Sequence, residues 1–322
     1  PLTTDRKPDL SFIDSACKTI GQNLSKPILV INESTSFPGT LRSYIKPAIE
    51  KYSSNQIEHL FAISPERVDP GRSDFNQKNT PRLFAGLTPE ASEKTRDFYS
   101  KFCDNLVGVS SPEVAEAAKL FENTFRQVNI ALVNEFAQIT HALGISVYET
   151  LDAANTKPYG FMKFLPGAGV GGHCIPVDPS YFSWRAKQVG AQARFIDLAN
   201  EVNDQMPIYV SDRFLKLIGK PATGLNLLIC GVAYKPGVAD VRETPVLELL
   251  NHLVANGAEV AWCDPLVNDW AGTQSVSQNW PCDVAILATR QPGLDINELI
   301  AKGTPILDCT NSFANKTGVN SL

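Results

Sequence analysis

The chain has 322 residues, 43% of them hydrophobic, and a formal net charge of −5. That length exceeds what one hydrophobic core supports, so two or three domains are expected, and the negative charge argues against sequence-independent nucleic-acid binding, which needs concentrated Lys and Arg. No apolar run reaches the roughly eighteen residues of a membrane span and no charged-then-apolar leader precedes the first predicted element, so no membrane partner is expected.

The opening segment PLTTDRKPDLSFIDSACKTI reads as a loop entering a helix, with no strand or glycine turn before it. An α/β domain that starts this way begins in mid-sheet, so the expectation is that the natural N-terminus lies further upstream and that the first domain is incomplete. KPILVINEST then reads as a buried strand, 41–51 as a helix and HLFAIS as a strand. The irregular loop PERVDPGRSDFNQKNTPR is long enough to suggest a functional segment over a plain connection. RLFAG, a helix over 90–103 and DNLVGV complete a βαβ alternation, so residues 1–110 are expected to be the later half of a doubly wound parallel sheet.

From Ser111 the period changes. SPEVAEAAKLFENTFRQVNIALVNEFAQITHALG carries helical periodicity throughout, opened by Ser-Pro-Glu and closed by Gly144. A helix of that length usually spans domains or subunits. Shorter helices from 147, over 179–190 and over 194–219 fill out a small helical region, 111–218. From Gly224, GLNLLICGVAYKPGVADVRETPVLELLNHLVANGAEVAWCDP reads strand, glycine-bearing loop, helix, Asn-Gly stop, strand. DVAILAT and TPILDCT add later strands. The expected fold is therefore α/β: two doubly wound, Rossmann-like domains, 1–110 and 219–322, joined by a long central helix and a small helical domain.

The seven cysteines, at 17, 103, 174, 230, 263, 282 and 309, are odd in number, scattered, and form no C-x-x-C pair. That pattern fits reduced thiols of a cytoplasmic protein, not a disulfide framework or a zinc site, and no metal is expected. Most lie in apolar surroundings and read as small core residues. Cys174 differs, sitting in GAGVGGHCIPVDPSYF, residues 167–182. There Gly167, Gly169 and Gly172 spell G-x-G-x-x-G, yet a dinucleotide fingerprint needs a strand before it and a helix opened at its glycines. NTKPYGFMKFLP holds no clean strand, and Pro176 and Pro179 follow. The glycines read instead as letting backbone approach a ligand and expose its amides. Asp178-Pro179 reads as an N-cap with proline at the first helical position, and Cys174 as a thiolate favoured by the nearby helix N-terminus. A buried loop cysteine is the plainer alternative, and His173 facing solvent another.

KPYGFMKFLPGAGVGGHCIPVDPSYFSWRAKQVG resembles the catalytic segment of the UDP-glucose/GDP-mannose dehydrogenase family, most closely its UDP-N-acetylglucosamine 6-dehydrogenase branch. ESTSFPGT, SPERVDPG, KLFENTFRQVNIALVNE and GVAYKPGVADVRETP match the family in order, so the resemblance covers almost the whole chain. One departure stands out: the family's N-terminal G-x-G-x-x-G and its following acidic residue are absent, in keeping with the mid-sheet start.

The resemblance implies an NAD-dependent, four-electron oxidation of a UDP-sugar C6 hydroxyl to the uronic acid, through a thiohemiacetal and then a thioester on Cys174. Lys119 and Asn123, at i and i+4 on one face of the long helix, are the implied oxyanion donors; a solvated lysine and a satisfied interior amide are the plain alternatives. Glu66 is the implied general base for thioester hydrolysis, against an exposed loop carboxylate paired with Arg67. Thr35 is implied to place water, Asp178 to orient the lysine and water, and Glu33, Ser34 and Thr35 to line the cofactor. Gly167, Gly169, Gly171 and Gly172 would contact the sugar. Lys235 and Arg242, beside a helix N-terminus, would take the diphosphate, with Arg194 a weaker candidate. A cytoplasmic homodimer through the long helix is implied. Rival readings are the same chemistry on UDP-glucose or UDP-N-acetylmannosamine, a non-catalytic nucleotide-sugar-binding fragment without NAD, and a cysteine hydrolase pairing Cys174 with His59, His141 or His252.

Overall fold

A computed structural model describes residues 1–3, 5–53, 57–69, 74–314 and 316–322. Residues 70–73 of the long loop expected to be functional lie outside the described residues. The chain forms two compact units, Pro1–Phe125 with Val177–Ile196, and Arg126–Pro176 with Asp197–Leu322.

In the first unit, α1 (Ser11–Asn23) precedes β1 (Leu29–Asn32), a short π-helix at Leu41–Ile45 runs into α2 (Lys46–Tyr52), and β2 (Leu60–Ile63) follows. β3 (Arg82–Gly86), α3 (Pro89–Tyr99) and β4 (Leu106–Gly108) complete the alternation. The Thr88 hydroxyl caps α3 by accepting from the Ala91 N–H at 3.1 Å, with Pro89 at the first turn where no N–H is needed. The strands lie in the order β1-β2-β3-β4. β1 and β2 are parallel, and so are β3 and β4, but β2 and β3 run antiparallel. The expected all-parallel sheet is thus corrected: β3 returns antiparallel to β2, and among its described residues the connection between them holds no crossover helix of the kind a parallel return needs. The core sets Cys17 of α1 and Leu41, Ile45 and Ile49 against Val30, Phe61 and Ile63 of the sheet.

α4 (Pro112–Leu143) is the long helix, and the chain passes along it from the first unit into the second. α5 (Val147–Asn155) follows, its first turn capped by the Ser146 hydroxyl accepting from the Glu149 N–H. α6 (Asp178–Gln188) belongs to the first unit and α7 (Arg194–Ile218) leads back to the second.

The second unit's sheet consists of β5 (Asn226–Cys230), β6 (Glu259–Cys263), β9 (Val284–Leu287), β10 (Ile306–Asp308) and β11 (Val319–Ser321), a short hairpin β7 (Asp269–Trp270) and β8 (Thr273–Gln274) standing apart. Its order is β11-β10-β9-β5-β6, parallel throughout. α8 (Val246–Ala255) links β5 to β6, and α9 (Asn297–Ala301) precedes β10. The unbroken apolar run NLLIC is explained by burial on both faces. Leu227 and Ile229 join Met206, Val210 and Phe214 of α7 and Leu249 and Leu253 of α8, whereas Leu228 and Cys230 join Leu299 of α9 and Ile306. Each such fully buried aliphatic side chain is worth about 1.5–3 kcal/mol. This is the doubly wound architecture expected for 219–322.

Candidate functional site

Along the first half of α4, Glu116, Lys119 and Asn123 recur at helical spacing and so share a face. Leu120, fully buried beneath them, packs with Phe37 and with Tyr181 of α6, and that contact seats α6 against α4. As a result Asp178, at the start of α6 and 5% exposed, meets Asn123, whose amide donates to the carboxylate at 2.6 Å. Burial pushes the Asp178 carboxyl up to about 6, against the downward pull of the Asn123 hydrogen bond and the Lys119 charge. The expected capping role is corrected: α6 has no side-chain cap, because the Asp178 carboxylate is taken by Asn123, and Val177 holds the cap position.

The loop after β1 lies at the strand's carboxyl end, the edge at which open α/β sheets take ligands. Glu116, 1% exposed, reaches under this loop and accepts from the N–H groups of Gly39 at 2.6 Å and Leu41 at 3.0 Å. Burial pushes its carboxyl up to about 7 in spite of those two donors. Thr35 is half-buried, Glu33 and Ser34 exposed. Glu33 is bound by Arg82 and by the Tyr99 hydroxyl. Residues 33–35 thus line the start of the loop that leaves the carboxyl end of β1. The glycines at 167–172 open no helix, since α6 starts only at Asp178.

After β2, the Glu66 carboxylate accepts from its neighbours' N–H groups, Arg67 and Val68, at 2.7 Å each, and from the Arg82 guanidinium at 3.2 Å. Burial alone would raise the Glu66 carboxyl; the N–H groups of Val68 and Arg67 and the Arg82 charge outweigh it and hold the group below the ordinary carboxylate range. The Arg67 side chain pairs with Glu122 of α4, not with Glu66.

In the second unit, a buried amide network holds the glycine loop. The Asn134 carbonyl accepts from the Gly167 N–H at 3.0 Å, its amide donates to Asn203 of α7 at 3.0 Å, and the Asn203 amide reaches the Gln127 carbonyl at 3.4 Å. The glycines that follow have a packing reason. A Cβ on Gly169 would lie 2.8 Å from Pro245, one on Gly171 2.7 Å from Tyr234, and one on Gly172 2.7 Å from the Tyr234 ring, where φ is also +90°. The loop therefore seats tightly on the segment after β5, and the Gly172 N–H donates to the Arg242 carbonyl at 3.2 Å. Cys174 follows at once, exposed and in no disulfide. Beside it, burial lowers the His173 imidazole, with the Arg242 charge adding to the effect.

Lys235 and Arg242 lie in the loop that leaves the carboxyl end of β5. Sheet order reverses there, with β6 on one side and β9 on the other, and such switch points are where doubly wound sheets bind nucleotides. Arg242 forks onto Asp240, with bonds of 2.6 and 2.9 Å. Lys235 stands 5.5 Å from the Tyr234 ring. Gln291, 1% exposed, fixes the loop by accepting from Gly237 N–H at 2.8 Å and donating to the Val238 carbonyl at 3.0 Å. Arg194 opens α7 in the first unit. Among the described residues no cluster of three or more His, Cys, Asp or Glu side chains is arranged to hold a metal ion, and no helix is long and apolar enough to cross a membrane.

The structure thus brings Asn123, Asp178 and Lys119 together in one unit, with Glu33 and Glu66 on one guanidinium, and sets Cys174, the glycines, Lys235 and Arg242 in the other. Sequence reading missed Arg82, Glu116, Asn134 and Gln291. Arg82 heads a strand, and Glu116 stands in AEAAK, which reads as a solvated helix face; only the tertiary approach of loops to them reveals a role.

Family models match along nearly the whole chain: the NAD binding domain of the UDP-glucose/GDP-mannose dehydrogenase family at residues 1–103, its central domain at 113–205 and its UDP binding domain at 228–315. The chain is 36% identical over 274 residues to a UDP-N-acetyl-D-glucosamine 6-dehydrogenase of Pseudomonas aeruginosa, covering 83% of this chain and 64% of that one. It is 36% identical over 267 residues to a UDP-N-acetyl-D-mannosamine dehydrogenase of Methanocaldococcus jannaschii, covering 83% and 60%. It thus spans less than two thirds of the length of these two relatives. A solved UDP-D-ManNAc dehydrogenase structure from Pyrococcus horikoshii superposes with a TM-score of 0.88 at 30% identity, covering 100% of this chain and 78% of that one.

Proposed function

The chain belongs to the UDP-glucose/GDP-mannose dehydrogenase family, and from that premise we propose that it oxidises the C6 hydroxyl of UDP-N-acetylglucosamine to the carboxylate. The observation that carries the reading is the buried Asp178 carboxylate bound to Asn123 on the α4 face that also carries Lys119. Like the relatives' names, the position of Lys235 and Arg242 at the switch point of a doubly wound sheet supports a nucleotide-sugar substrate.

NAD would supply the oxidant, two molecules in succession each accepting one hydride, and Glu33, Ser34 and Thr35 would hold it. The chain's own residues do the rest. The Cys174 thiolate adds to the aldehyde carbon, keeping that intermediate from escaping, and the adduct becomes a thioester on its second oxidation. Lys119 and Asn123 donate to the oxygen as it gains charge. Asp178 fixes the Asn123 amide and, at a value near 6, is ionised at neutral pH and able to orient water and the Lys119 ammonium. Glu66 receives a proton from the water that cleaves the thioester, releasing the carboxylate and restoring the thiol. Held below the usual carboxylate range, Glu66 is ionised over the whole neutral region. Gly167, Gly169, Gly171 and Gly172 shape the sugar's side of the loop, Thr35 helps place the water, and Lys235 and Arg242 take the diphosphate.

UDP-N-acetylmannosamine is the second reading, favoured by the 36% identity to a mannosamine dehydrogenase. The enzyme is proposed to be a cytoplasmic homodimer. α4 exposes Phe121, Phe125, Leu132, Ile139 and Leu143 at four- and seven-residue intervals, an apolar stripe suited to a second copy. The test is NADH formed from a panel of UDP-sugars. Two NADH per sugar, with UDP-N-acetylglucosamine turned over fastest, is expected; one NADH per sugar would reject the thioester route, and a faster mannosamine substrate would install the second reading.

A further inference from the structure

Arg82, at the start of β3, is 6% exposed although nothing in its strand calls for a charge there. Each of its three guanidinium nitrogens donates a hydrogen bond. Nε donates to the Ser64 hydroxyl at 2.8 Å, one terminal nitrogen to Glu66 at 3.2 Å, and the other to Glu33 and, at 3.3 Å, the Tyr99 hydroxyl. The Tyr99 ring lies 4.2 Å beneath it, and Tyr99 in turn donates to Glu33. Ser64 is anchored to the sheet through the Leu83 carbonyl at 2.8 Å. One rigid fork from the sheet thus holds a carboxylate on each of two loops, those leaving β1 and β2. Such fork geometry is specific to arginine, and its planar, bidentate reach is lost with lysine.

We propose that Arg82 is a positioning residue that fixes Glu33 and Glu66 together, so that the state of the 33–35 loop is felt at Glu66. The inference rests on the roles given above to Glu66 and to residues 33–35, and goes beyond them by coupling the two. Because both carboxylates draw on one cation, movement of Glu33 away from Arg82 leaves more of that charge to Glu66 and removes a like charge from its surroundings. Among the described residues, the other ionisable groups facing this cluster are Tyr99 of α3, Cys103 just beyond it, and Arg67 with its partner Glu122 on α4.

The test is a pH titration of the Glu66 carboxyl by carbon NMR in the full chain, with its signal assigned through Glu66→Gln. Arg82→Leu is expected to raise the midpoint by at least about one pH unit, and Glu33→Gln, a change at an exposed side chain, to lower it by a smaller step. An unmoved midpoint in Glu33→Gln, or in Arg82→Leu with its far-ultraviolet circular dichroism retained, overturns the inference. The readout needs no turnover, so it separates from the catalytic reading. Loss of sugar oxidation in Cys174→Ala beside an unmoved Glu66 midpoint rejects the coupling alone; full oxidation in Cys174→Ala beside a shifted midpoint rejects the catalytic reading alone.

Discussion

On the α4 face groups are held by side chains: Asn123 by the Asp178 carboxylate, and the neighbouring loop by the Glu116 carboxylate. The 167–174 loop is held the other way, through backbone: Asn134 grips the Gly167 N–H, and Gly169, Gly171 and Gly172 lie so close to Pro245 and Tyr234 that no Cβ fits. The first region stores buried charge, with carboxyls pushed up to about 6 and 7. The second stores almost none and leaves Cys174 exposed at its end. Tuning by charge and placement by volume are thus divided between the two, and substitutions in them should fail in different ways.

The largest effect is expected at the exposed end of the backbone-held loop. Cys174→Ala should lower kcat by at least about 10⁴-fold, with unchanged thermal stability, because an exposed thiol contributes little packing. On the helix face, Asn123→Leu removes the proposed oxyanion donor and should cost about 10²–10³ in kcat with KM nearly unchanged, read by steady-state kinetics. Gly172→Ala should act on the fold, destabilising it by about 1–3 kcal/mol in urea melts through the Tyr234 overlap and the positive φ.

The smallest effect has the opposite sign. A carboxyl whose folded value is raised favours the native state most below its unfolded value of 3.8, and that advantage is lost as pH rises through about 6. Asp178→Asn removes the cost of burying the charge. It should therefore gain up to about 2 kcal/mol of stability at pH 8, a gain that vanishes below about pH 4, while turnover falls. Equal melts of the two proteins at both pH values would show that Asp178 carries no such burden.

Much of this was legible in the sequence. The unbroken run NLLIC and the Asn-Gly stop of VANG announced the second unit's βαβ, and the periodicity of 112–143 announced α4, because burial on both faces and helical amphipathicity are written locally. The antiparallel turn from β2 to β3 was not, since strand direction depends on how the long loop closes. Asp178 misled as a cap: Asp-Pro is a strong local signal, but the Asn123 amide, 55 residues away in sequence, outcompetes the helix N–H groups for its carboxylate. Arg82 and Glu116 escaped for the same reason, their partners being loop atoms brought near only by the fold.

The central claim is that sugar oxidation passes through a covalent bond to Cys174. The direct measurement is the intact mass of the Glu66→Gln protein, in which hydrolysis is slowed, after mixing with UDP-N-acetylglucosamine and NAD. The expected result is an added mass equal to the UDP-sugar as a thioester, mapped to the peptide bearing Cys174 and absent from Glu66→Gln/Cys174→Ala. No adduct in Glu66→Gln, together with two NADH per sugar still formed by Cys174→Ala, would contradict it.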